Sequence, residues 1–159
     1  MALQVRRVVT GHDARGKAVV KIDEVCQHTF TGRPGAVGVN VWITEGFPAS
    51  NDGDADAGTR QGVGTTIKNG TIFRMLEFSP GLAARNHRTD SIDYIVVLEG
   101  EIDMELDDTT VHLRAGDTMV QRGTIHNWVN RGTAPCRLAV ILIDAKSVEA
   151  GGKLLPAVG

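Results

Sequence analysis

Residues 80–100, PGLAARNHRTDSIDYIVVLEG, and residues 116–130, GDTMVQRGTIHNWVN, decide how this chain is read. Both stretches are rich in β-branched and aromatic residues and both are bounded by glycine turns, the composition of short strands. Between them they carry His87, Asp93 and His126. Side chains alternate faces along a strand, so His87 shares a face with Thr89, Asp93 with Ile95 and Val97, and His126 with Trp128 and Asn130. A closed barrel would gather these faces around one cavity. An ionised Asp93 beside Ile95 and Val97 on an inward face is unfavourable unless a cation or hydrogen-bond donors compensate it.

Outward from this pair the chain keeps the same character. β-branched clusters broken by glycine and acidic turns run from end to end and helix-period stretches are scarce, so the fold class is all-β. Strands are predicted at Val5 to Val9, Ala18 to Ile22, Val37 to Thr44, Thr65 to Lys68, Thr71 to Phe78, Ile92 to Leu98, Ile102 to Leu106, Thr110 to Leu113, Thr118 to Gln121, His126 to Asn130 and Cys136 to Ile143. Asn69-Gly70 between two of them is a two-residue hairpin signal, because both residues tolerate the positive φ of a type I′ turn. Residues 48–64, PASNDGDADAGTRQGVG, have no apolar periodicity and read as a mobile loop, either a plain connection or a lid. Ala145 to Leu155 reads as a short C-terminal helix ended by Pro156.

At 159 residues the chain suits one domain. The expected division is N-terminal strands at 1–47, the loop at 48–64, a core barrel at 65–143 and a tail at 144–159. A formal net charge of −2 with 23% charged residues gives no electrostatic reason to expect nucleic acid. No apolar run approaches the roughly 20 residues of a membrane span, and MALQVRRVVTGHD lacks a secretory core, so a cytoplasmic protein without a membrane partner is expected. Cys26 and Cys136 are too few for a disulfide framework and read as buried thiols.

The two opening stretches resemble the paired motifs of the cupin superfamily. Pro80-Gly81, five further residues, His87, Asp93 and Gly100 fall on the first motif, and Gly116, Asp117, His126 and Asn130 on the second. The match departs from the usual pattern in four places. Thr89 stands where a second histidine is usual, Asp93 where glutamate is usual, the run from Gly116 to His126 is one residue short, and Arg122-Gly123 occupies the region of a customary proline. The resemblance implies a double-stranded β-helix, a jelly-roll-like barrel. Within the superfamily the chain looks like small single-barrel proteins described as lyase-like or dehydratase-like.

Two imidazoles and a carboxylate suit a divalent ion such as iron(II), manganese, nickel or zinc and leave positions open for substrate. His87, Asp93 and His126 are therefore both the metal-ligand and the catalytic candidates. The alternative is a metal-free pocket in which the three hydrogen-bond one another and act as acid and base. Arg85 and Arg74 are candidates to hold a substrate carboxylate through a planar fork, or else lie at the rim. Trp128 is a candidate aromatic wall, and Thr89 joins the substrate-binding set. His12, His28 and His112 have no second ligand at a useful spacing and receive no role, Asp90 reads as a turn residue, and Tyr94 reads as packing.

The implied activity is a lyase, dehydratase or isomerase acting on an organic acid or polyketide-like small molecule, with proton abstraction by His126 or Asp93 beside a carbonyl. A non-haem metal dioxygenase and a non-catalytic ligand-binding module are the alternatives. A homodimer is expected, with Val5 to Val9 and Ala18 to Ile22 free to extend a partner's sheet.

Overall fold

Alternation of inward apolar and outward polar residues sets the strands, and the computed structural model, which describes residues 3–159, is built almost wholly from them. In chain order they are β1 (Arg6–His12), β2 (Ala18–Val25), β3 (Thr29–Arg33), β4 (Ala36–Thr44), β5 (Thr71–Phe78), β6 (Ser91–Glu99), β7 (Glu101–Glu105), β8 (Thr110–Arg114), β9 (Thr118–Arg122), β10 (Asn127–Val129), β11 (Cys136–Asp144), β12 (Val148–Ala150) and β13 (Lys153–Leu155). A single 3₁₀ turn, Ala57–Thr59, is the helical element among the described residues. No helix there is long and apolar enough to cross a membrane.

A six-stranded sheet runs in the order β3-β4-β5-β11-β6-β9, and a three-stranded sheet in the order β10-β7-β8. The core fills the space between them: Ile72, Ile95, Val97, Leu138, Val140 and Leu142 from the larger sheet meet Ile102, Met104, Leu113 and Trp128 from the smaller. This sheet-on-sheet arrangement is the double-stranded β-helix expected from the sequence. All pairings in it are antiparallel.

The hairpin β1-β2 covers the outer face of the larger sheet, where Leu3, Val5 and Cys26 pack with Val39 into a second, smaller apolar cluster. A bulge in β4 serves both faces. Asn40 pairs with Arg74 and Trp42 with Phe73, leaving Val41 extra, so two successive residues point outward while Asn40 and Ile43 both point inward. Arg7 of β1 is 3% exposed and is satisfied on two sides, by Glu24 across the hairpin and by both carboxylate oxygens of Asp56 in the 48–64 loop. The backbone of Gly58 lies against this guanidinium so closely that a Cβ there would sit 2.1 Å from Nη1 and 2.6 Å from the Val41 carbonyl oxygen. The loop expected to be mobile is thus fastened at its centre to the N-terminal hairpin.

Three expectations fail locally. The tail is a β-hairpin, not a helix: Gly151 and Gly152 both take positive φ, 59° and 73°, which is the type I′ geometry, and Val148 pairs with Leu155. Thr65–Lys68 forms no strand. Asn69 alone of the Asn-Gly pair has positive φ, 55°, and the turn closes from the Gly70 N–H to the Ile67 carbonyl, while Gly70 is wedged against Thr44 where a Cβ would come within 2.1 Å of its carbonyl oxygen. Strand β3, TFTGR, is absent from the sequence reading because its glycine and charged end hide a short edge strand whose pairing with β4 is irregular between Thr31 and Arg33.

Candidate functional site

His87 and His126 are brought together by backbone before any side chain acts. They form an isolated antiparallel bridge, His87 N–H to His126 O at 3.0 Å and His126 N–H to His87 O at 2.9 Å. Directly opposed residues put their side chains on one face, and the two rings lie 4.2 Å apart between centroids. Both are buried, 8% and 2% exposed.

Each imidazole uses Nδ1 to anchor itself. His87 Nδ1 donates to the Arg85 carbonyl at 3.1 Å and His126 Nδ1 to the Thr124 carbonyl at 3.0 Å, which leaves Nε2 of each ring unprotonated in the neutral form. Gln121 of β9 packs against the same edge of the ring, its amide nitrogen donating to the Thr124 carbonyl at 3.1 Å and lying 2.7 Å from His126 Nδ1. Burial, above all, depresses both histidines. The His126 value falls from 6.5 to about 4, with His87, Arg33 and Arg85 adding to the effect, and His87 moves the same way.

For a base whose folded value is depressed, stability is complete above the unfolded value and is lost as pH falls toward the folded one. Between pH 6.5 and 4 His126 is therefore expected to withdraw about 3 kcal/mol. Urea unfolding of the protein and of His126→Asn at pH 7, 5 and 4 checks this. The difference between the two should shrink as pH falls, and a constant difference contradicts the burial of a neutral imidazole.

Asp93 sits on β6 opposite Leu142 on one side and Gln121 on the other. It is 5% exposed, and its Oδ1 accepts from the Ser91 hydroxyl at 2.6 Å, with Thr89 Oγ1 a second acceptor 2.8 Å from the same hydroxyl. Thr89, Ser91 and Asp93 share a face at alternate positions, so Thr89 reaches the carboxylate only through the Ser91 hydroxyl. Desolvation raises the Asp93 value, opposed by the Ser91 hydrogen bond and the charge of Arg74. Its linkage has the opposite sign to that of His126, with stability greatest at low pH and lost as pH rises through the folded value.

Arg74 is buried at 6% exposure, donates from Nε to Asn40 Oδ1 at 3.1 Å and from Nη2 to the Gly64 carbonyl at 2.8 Å, and lies 5.0 Å from the Phe30 ring centroid. Its burial brings it down to about 10, with Asp93 opposing the shift. Arg85 is exposed at the rim, with Nη2 on the Gly159 carbonyl at 2.9 Å. Trp128, 7% exposed, meets His126 edge-on at 6.3 Å and also belongs to the core. All of these residues border one cavity of about 490 Å³, walled on one side by Gly58 and residues 60–65 of the fastened loop.

His87, Asp93 and His126 thus border one cavity, yet their donor atoms do not close on a common point. Among the described residues the one trio of His, Cys, Asp or Glu with all donors within 4.8 Å of one another is Glu24, Cys26 and His28. The barrel site offers two imidazole nitrogens side by side, while Asp93 is engaged with Ser91 and hydrogen-bonds neither histidine. That donor set is one short of a three-ligand centre.

Sequence reasoning missed several residues here. Ser91 was legible from strand alternation, being one face-step from Thr89 and Asp93, whereas Gln121 enters only through the β6-β9 pairing that sets it opposite Asp93. Glu24, Cys26 and His28 fall at every second position, the spacing that puts three side chains on one face. Arg33 went unseen with its strand. His112 is, as expected, a surface residue, its Nδ1 2.7 Å from Asp103.

Residues 74–142 match the Cupin domain family. A cupin-domain-containing oxidoreductase of Aspergillus ruber is 34% identical over 157 residues, covering 94% of this chain and 77% of that one. One of the same description from Hypocrea virens is 34% identical over 149 residues, covering 89% and 77%. A phomopsin biosynthesis cluster protein of Diaporthe leptostromiformis is 36% identical over 157 residues, covering 94% and 83%. With both motifs on opposed strands at one cavity, and relatives matching nearly end to end, the chain belongs to the cupin superfamily.

Proposed function

We propose that the barrel cavity is the active site of an enzyme that takes a small organic acid and moves a proton at a carbon beside a carbonyl, giving isomerisation or elimination. The observation that carries this reading is the pair of buried imidazoles held by Nδ1 with Nε2 left free, beside a carboxyl whose protonated form is favoured by burial. His126 Nε2 takes the proton from carbon and Asp93 or His87 returns one. In isomerisation the proton goes back at another atom. In elimination it leaves with a departing hydroxyl as water while a C=C bond forms, so neither route requires an oxidant. The Thr124 carbonyl, an acceptor, fixes the tautomer this demands.

The test is solvent-deuterium incorporation into a panel of 3-keto, 3-hydroxy and α,β-unsaturated carboxylates, followed by proton NMR. Wild-type protein should introduce deuterium next to a carbonyl in at least one member. No incorporation across the panel would count against the reading.

A second reading, an oxidoreductase, is favoured by the relatives from Aspergillus ruber and Hypocrea virens, both described as oxidoreductases. Oxygen uptake after loading with iron(II), together with elemental analysis of the His126→Ala and Cys26→Ala variants, separates the two. Metal lost only in Cys26→Ala would assign it to the Glu24, Cys26 and His28 trio and away from the barrel.

A further inference from the structure

Four arginines border the cavity, Arg33, Arg60, Arg74 and Arg85, against a single carboxylate, Asp93. Arg60 pairs with Glu45, but among the described residues no salt bridge engages Arg33, Arg74 or Arg85. Arg74 is nevertheless spoken for, with Nε on Asn40, Nη2 on the Gly64 carbonyl and Asp93 nearby. Arg33 is not. Its Nη1 is buried without any hydrogen-bond partner, and its guanidinium lies 5.8 Å from the Phe78 ring centroid. A buried guanidinium N–H left unpaired is unfavourable, so a feature of this kind points to a partner that arrives with the ligand.

We propose that Arg33 and Arg85, beside the paired histidines, form the subsite for the carboxylate of an amphipathic substrate. Each guanidinium presents N–H donors in a planar fork that matches the two oxygens and four lone pairs of a carboxylate. The two cations lie close enough that Arg85 depresses Arg33, and both add to the depression of His87 and His126. An anion placed between them relieves that repulsion. Beyond them the wall turns apolar through Phe78, Trp128, Ile95, Val140 and Leu142, so the body of the ligand is hydrocarbon or aromatic and not sugar-like. Arg33 is thereby the residue that selects for the acid end, and Arg74, deeper and already bonded, is not. This assignment rests on the cavity being the substrate site proposed above.

The experiment is calorimetric titration with cinnamate and with cinnamamide, which differ in charge at one end while keeping the same apolar body. The wild-type protein should bind the acid about tenfold or more tightly than the amide, the range expected for hydrogen bonds to a charged group. Arg33→Gln should abolish that preference, Arg33→Lys should keep part of it, and Arg131→Gln, at a surface pair far from the cavity, should leave it unchanged. Should Arg33→Gln fail to fold, Arg85→Gln carries the same test from an exposed position. Equal affinity for acid and amide, an acid preference that survives both glutamine variants, absence of binding to either probe, or displacement of cinnamate by inorganic phosphate at similar concentration would each overturn the subsite. An acid preference lost on substitution while deuterium never exchanges leaves the subsite standing and strikes at the proposed chemistry alone. Deuterium exchange without acid preference does the reverse.

Discussion

Turnover in His126→Ala is expected to fall about 100- to 10,000-fold, the usual contribution of a positioned acid or base. Three features concentrate the effect on this residue. It is the more buried of the two histidines, its value is depressed furthest, and the Thr124 carbonyl holds its ring in one tautomer. Steady-state rates on whichever panel compound exchanges deuterium give the measurement. The loss should appear in kcat with little change in KM, because the imidazole acts on the reacting atoms and the acid end is held elsewhere. His126→Ala with kcat within threefold of wild type would remove the catalytic role. Gln121→Ala is expected to act through His126 and so to shift the pH profile as well as the rate.

Leu138→Ala is expected to lower stability by about 2–5 kcal/mol. Leu138 is fully buried on β11, the strand paired on both sides, opposite Leu76 on β5 and Val97 on β6, so a cavity there cannot be refilled by one neighbour's shift. Leu98→Ala, with a side chain 48% exposed, should change stability by less than about 0.5 kcal/mol. Urea midpoints at pH 7 for the two variants decide the matter. Comparable losses would mean that the space between the two sheets is not the main core.

The features legible in the sequence were those encoded by local rules. Alternation along SIDYIVVLE placed Asp93, Ile95 and Val97 inward, and the structure agrees, since all three are buried; Tyr94, read as packing, is instead 48% exposed. His87 and His126 could be paired only because two motifs fell at family spacing, since nothing local shows that residues so distant in sequence form one bridge. The failures have a common physical origin. Gly151-Gly152 falls inside the helix expected at Ala145 to Leu155, whereas positive φ at both glycines makes a turn there. Asn69-Gly70 carried a genuine hairpin signal that tertiary contact overrode, with Asp144 accepting from the Asn69 N–H and Thr44 crowding Gly70. Arg33 matters through what surrounds it in space, and one-dimensional patterning carries no record of an unpaired guanidinium.

Arg7 joins β1 to the loop that walls the cavity, although it lies outside the cavity itself. One wall of the barrel is therefore tethered from the opposite face of the large sheet, so a substitution at Arg7 would unfasten cavity lining and hairpin together.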